Sequence, residues 1–290
     1  MNTATNPFPR RFVFHGNAVA AGVFLTRTGE TEQYLASPID AQSSLPVIGG
    51  HSEPPVVEVP TLATDIARVF NYRRAHTMAD GRVERGVAIT RVQSSVSDVS
   101  VTNQPSPGEP DAEIPIVFTA AMLSLSLLSI HPLNEAQPTI EFVDDTPLFQ
   151  GLSLAGLPIE LELNVELMRL ARWDDLQKNF RTNRQFFESC RDSFAPIGQG
   201  RAPTFGQKIP CARGSFSLCS FVRNIRWGGR TIPGHVLTQP GFGTIYFGEI
   251  LLNDRERRVT MVRMQLESCN IGQAVFAEAD PNGTPWPPPP

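Results

Sequence analysis

Apolar and polar residues alternate along much of this chain with the period of two that a β-strand imposes. The clearest run is Ile159 to Leu167. Ile159, Leu161, Leu163, Val165 and Leu167 share one face, and Glu160, Glu162, Asn164 and Glu166 share the other. That contrast predicts a strand with a buried side and a wet, acidic side. Leu123, Leu125 and Leu127 alternate with Ser124 and Ser126 in the same way, and half-alternating runs occur at Val87–Val92 and Val99–Val101. Beyond the Gly- and Pro-rich connection Pro196–Pro210, five runs read as an antiparallel meander: Ser215–Trp227, Thr231–Thr238, Thr244–Leu252, Arg258–Leu266 and Gln273–Ala279. Gly228-Gly229 supplies a tight turn in it, and Asn253–Arg257 a longer loop. Further hairpin turns are predicted at His15-Gly16-Asn17 and at Asp80-Gly81.

One segment breaks the period. Between about Arg172 and Arg191, Trp173, Leu176, Phe180, Phe187 and Cys190 recur at three- and four-residue steps or their multiples, as an amphipathic helix requires. Asp174 and Asp175 stand near its start, where the helix dipole favours anions. The expected class is therefore mainly β, with antiparallel sandwich or barrel-like sheets and one amphipathic helix at about 172–191.

Length and punctuation set the organisation. At 290 residues and 41% hydrophobic, the chain can bury a sizeable core. Residues 1–10 read as an extended arm, 11–283 as a β-rich domain that the linker-like stretch 103–113 could divide, and 284–290 as a Pro-rich tail. Ser37–Pro60, with five prolines and Gly49-Gly50, predicts a long functional or interface loop. No apolar run reaches the length of a membrane span, so none is predicted. The four cysteines, Cys190, Cys211, Cys219 and Cys269, lack Cys-x-x-Cys spacing and read as free thiols of a cytoplasmic protein.

Charge is distributed in blocks. No Lys or Arg occurs between Ser94 and Glu166, whereas cations outnumber anions by twelve to four from Arg169 to Arg230. Net charge is −4, so the asymmetry concerns partners rather than total charge. Glu160, Glu162 and Glu166 form the candidate acidic face. Arg223, Arg226, Trp227 and Arg230, with Arg255, Arg257 and Arg258, form the candidate interface or anion-binding face, cations interleaved with an aromatic ring.

Catalytic signatures are weak. The five histidines show no metal-ligand spacing, so neither a metal site nor another cofactor is expected. No Gly-x-Ser-x-Gly is present. Asp144-Asp145 before Thr146-Pro147 reads as a solvated turn, Cys190 reads as a packing residue of the helix stripe, and Cys211, beside Arg213, could have the electropositive neighbour a reactive thiol needs. The first expectation is a non-enzymatic structural protein whose copies associate through complementary acidic and basic surfaces. Two alternatives are an enzyme with a site built on the Ser37–Pro60 loop, and a binding module for an anionic polymer such as nucleic acid. Copies of the chain itself are the favoured partner.

Overall fold

The computed structural model describes residues 10–27, 33–36, 41–58, 60, 62, 64–103, 114–143, 149–169, 172–194, 203–209, 217–267 and 270–289. Most of the expected N-terminal arm, linker residues 104–113, Asp144, Asp145, Cys211, Cys269 and Pro290 lie outside them.

In chain order the first elements are β1 (Arg11–Arg27), β2 (Gln33–Ala36), β3 (Gln42–Ser44), β4 (Gly50–Ser52), α1 (Thr64–Ala67), β5 (Phe70–Asn71), β6 (Arg74–Glu84), β7 (Val87–Asn103) and β8 (Ile116–Pro132). There follow β9 (Thr139–Phe142), β10 (Phe149–Gln150), β11 (Ser153–Leu154), β12 (Leu157–Leu163), α2 (Val165–Arg169), α3 (Trp173–Thr182) and α4 (Arg184–Cys190). The last are β13 (Ser217–Ser220), β14 (Val222–Trp227), β15 (Arg230–Pro233), β16 (Val236–Gln239), β17 (Gly243–Leu252), β18 (Arg257–Leu266) and β19 (Asn270–Trp286).

These strands form two antiparallel sheets. One runs β13-β17-β18-β19-β1-β2, with β16 on β17 and β3 on β1. The other runs β15-β14-β12-β11-β8-β7-β6-β4, with β9 and β10 on β8 and β5 on β7. The sheets meet where β1 packs on β6 and β7, and β19 on β7 and β8. Their inner faces carry Phe276 stacked on Phe70 at 5.1 Å, and Phe118 near Phe247 at 6.5 Å. The protein is a mainly β, antiparallel sandwich, as the alternation implies.

Several local expectations change. The Ile159–Leu167 strand stops at Leu163, and Glu166 sits on α2. Asn164 causes the switch: its Oδ1 accepts from the Leu167 amide at 3.1 Å, as an N-cap does. The single helix is two, α3 and α4, broken at Asn183, whose side chain accepts from the Phe186 amide. The apolar stripe survives the break, with Leu176, Phe180, Phe187 and Cys190 all buried. Neither His15-Gly16-Asn17 nor Asp80-Gly81 is a turn. Both lie inside long strands, and the β6–β7 turn falls on Arg85-Gly86, both at positive φ. Gly16 and Gly81 instead make room between the sheets: a Cβ on either would stand 2.7 or 2.8 Å from Leu45 Cδ1. Likewise β19 runs through Pro281-Asn282-Gly283, paired with Gly16, His15 and Phe14 of β1. The Ser37–Pro60 stretch contributes β3 and β4 to the two sheets. Among the described residues, no helix is long and apolar enough to cross a membrane.

Candidate binding cleft on the outer strands

Three strands build the site. β12 pairs with β14 and β14 with β15, which ends the second sheet. The inner face of this ribbon is anchored by Ile159 and Ile225, both buried, and by Ile232. Period two then forces Glu160, Glu162, Asn224 and Arg226 outward. Register places Glu160 opposite Arg226 and Glu162 opposite Asn224. The Gly228-Gly229 turn, at φ 56° and 76°, folds β15 back beside β14.

This pairing corrects the expectation of two separate charged faces. Arg226 Nη1 lies 3.8 Å from Glu160 Oε2, and Arg223 Nη1 lies 3.8 Å from Glu162 Oε1. The acidic and basic blocks meet on one ribbon of one chain. Both contacts are too long for hydrogen bonds, and their groups are largely exposed, so each is worth about 0–1 kcal/mol. Glu162 is also held by Asn224 Nδ2 at 2.8 Å. Arg230, the first residue of β15, is exposed and has no ion pair with any described residue. Trp227 is half-buried, and its Nε1–H donates to the Leu154 carbonyl at 3.2 Å, fixing the ring's orientation.

The remaining expected site residues lie elsewhere. Arg255, Arg257 and Arg258 belong to the β17–β18 region of the other sheet. Arg257 is not a surface residue: it is buried, donates to the Ile140 carbonyl at 3.1 Å, and desolvation pushes its guanidinium down to about 10. Its parity with Val259 on β18 was the signal, since Arg257 and Val259 share the inner face. Arg258 pairs with Asp280 at 3.5 Å and Glu278 at 3.9 Å, and Arg255 with Asp254 at 3.8 Å. Arg263 makes two hydrogen bonds to Glu249, at 2.6 and 2.8 Å, and stacks on Tyr246. Arg255, Arg258 and Arg263 are thus engaged by carboxylates of their own subunit. Glu166 lies off the ribbon, near Ser189 Oγ at 3.4 Å.

A concavity of about 420 Å³ opens on the ribbon, lined by Arg226, Trp227, Arg230, Glu160, Thr231 and the Gly-Gly turn. A second, of about 450 Å³, lies at the other end of β12 and holds Arg223, Glu166, Gln185, Glu188 and Ser189. Neither holds a described thiol or imidazole. Cys190 and Cys219 are buried, and desolvation raises both thiols above their usual range. Among the described residues, no group of three or more His, Cys, Asp or Glu side chains is placed to hold a metal ion. Among the described residues, a dense imidazole–carboxylate cluster sits on the exposed face of β6 and β4. There Glu53 accepts from His76 at 2.9 Å and His51 at 3.2 Å, which holds its carboxyl below the usual range.

The chain is thus an antiparallel β-sandwich with an open, mixed-charge concavity on its outer strands. The chain belongs to the family described as Domain of unknown function (DUF8256), whose model matches residues 12–253. No curated protein matches it.

Proposed function

We propose that this protein is a non-enzymatic binding module that recognises an anionic polymer at the β12–β14–β15 ribbon. One observation carries this: Arg226, Trp227 and Arg230 line the same concavity, with one guanidinium lacking any described ion pair and the other held only weakly by Glu160. An anionic group entering the cleft gains bidentate guanidinium bonds and displaces a contact of little worth. Trp227 adds an oriented aromatic surface. Binding to a polyanion should weaken with salt, and Arg226→Ala with Arg230→Ala should flatten that dependence by about two charges while lowering affinity tenfold or more at low salt. Fluorescence anisotropy against labelled polyanions at 50 and 200 mM salt checks this. Equal binding by the double variant and the native protein would discard the cleft.

A second reading, self-association as a structural protein, is favoured by a different surface. Val47 and Ile48, at 61% and 86% exposure, stand on the loop between β3 and β4, with exposed Val83 at the neighbouring end of β6. An apolar tip of this kind suits a protein contact. Light scattering separates the two readings. Oligomers dissolved by Ile48→Asp support assembly, and a monodisperse monomer from low to high salt ends it.

A further inference from the structure

The cleft contains more than cations. Glu160 lines it beside Arg226 and Arg230, Thr231 adds a hydroxyl, and Leu157 and Pro158 add apolar surface next to the Trp227 ring. The concavity at the far end of β12 repeats the mixture, with Arg223 set among Glu166, Glu188, Gln185 and Ser189. A third depression of about 340 Å³ is apolar, walled by Phe149, Leu152, Ile159, Leu161 and Leu163, with Glu160 its one charged residue. On the outer face of β12, Glu160 stands opposite Arg226 and Glu162 lies 3.8 Å from Arg223, so guanidinium and carboxylate are interleaved there.

We infer that the polymer is an acidic polysaccharide whose repeating sugar carries a carboxylate, a polyuronate, and that Arg226 and Arg230 hold the carboxylate while Glu160 accepts from ring hydroxyls. This rests on the anionic-polymer reading above and narrows it. The chemistry separates the candidates. A DNA backbone has no free hydroxyl to offer Glu160, Glu166 or Glu188, whereas a polyuronate, although also anionic, has them on every sugar. A sugar ring bearing vicinal hydroxyls needs strong acceptors, and a carboxylate is the strongest side-chain acceptor. Trp227 has its one donor committed to Leu154, so its ring is left to offer apolar contact.

Titration of the native protein with polygalacturonate, a neutral glucan, single-stranded oligothymidine and duplex DNA at one ionic strength tests the inference. Polygalacturonate should bind at least tenfold tighter than either nucleic acid, and the neutral glucan weakest. Arg230→Ala, at an exposed position, should weaken polygalacturonate binding about tenfold. Glu160→Ala should weaken it three- to tenfold while tightening any residual oligothymidine binding, because it removes both a hydroxyl acceptor and a like charge. Equal binding of polyuronate and nucleic acid, with Glu160→Ala tightening both, would overturn the sugar assignment and leave the anionic-polymer reading standing. Binding of none of the polyanions would remove both. Polygalacturonate binding indifferent to Arg230→Ala and Glu160→Ala would place the sugar elsewhere on the protein and overturn the inference.

Discussion

Asp280 lies 3.5 Å from Arg258, yet its Oδ1 is buried with no hydrogen-bond partner among the described residues. Burial pushes its carboxyl up to about 7, against an ordinary 3.8, and Glu256 and Glu278 add to the effect while Arg258 opposes it. The folded state therefore holds this proton more tightly than the unfolded chain does. The stabilisation is fully present below about pH 4 and is lost as pH rises through 7. Asp280→Asn should leave stability at pH 4 nearly unchanged and raise it at pH 8, by an amount on the order of a few kcal/mol. Urea unfolding at both pH values checks the sign; a variant that loses stability equally at both would contradict it. At this scale much of the cleft was legible, because Arg226, Trp227 and Arg230 are neighbours in sequence around one turn, although Arg223 lines the other concavity. Glu160 as their partner was not. It arrives from a strand far away in the chain, and alternation says which way a side chain points but never what stands beside it.

Asn183 is the element-scale surprise. A continuous apolar stripe predicts one helix, but Asn183 leaves α-space at φ −104° and ψ 102° and caps the helix that follows. The two pieces stay together because Phe180 meets Phe187 edge-to-face at 5.0 Å, as neighbours on an unbroken helix would. Asn183→Ala should cost about 1 kcal/mol through the lost cap, read as a shift in the urea midpoint at constant slope. A thermally neutral substitution would mean the cap contributes nothing. The glycines teach a related lesson. Asp80-Gly81 has the composition of a hairpin turn, but Gly81 serves the approach of Phe14 and Leu45 to the strand. Gly81→Ala should destabilise by roughly 1–3 kcal/mol, as overpacking of a filled interior does. Local signals for turns compete with close packing between sheets, and only the packed structure shows which of the two a glycine serves.

At the scale of the whole molecule, the class was readable and the order of strands was not. Long alternating runs such as Ile89 to Val101 announce a two-layer β protein, since each must bury one face. Nothing local announces that β12 joins β14 across the intervening helices, or that β13 joins β17 in the opposite sheet. The longest ladder of the first sheet is β1 with β19, running from Arg11 opposite Trp286 to Arg27 opposite Asn270. The strand translated first among the described elements thus waits for the strand translated last. During synthesis, the edge of β1 that takes β19 must stay unpaired while every other described element emerges from the ribosome. Non-local pairing of this kind slows folding, and in a stalled nascent chain that open edge is a template on which a neighbour's strand can pair.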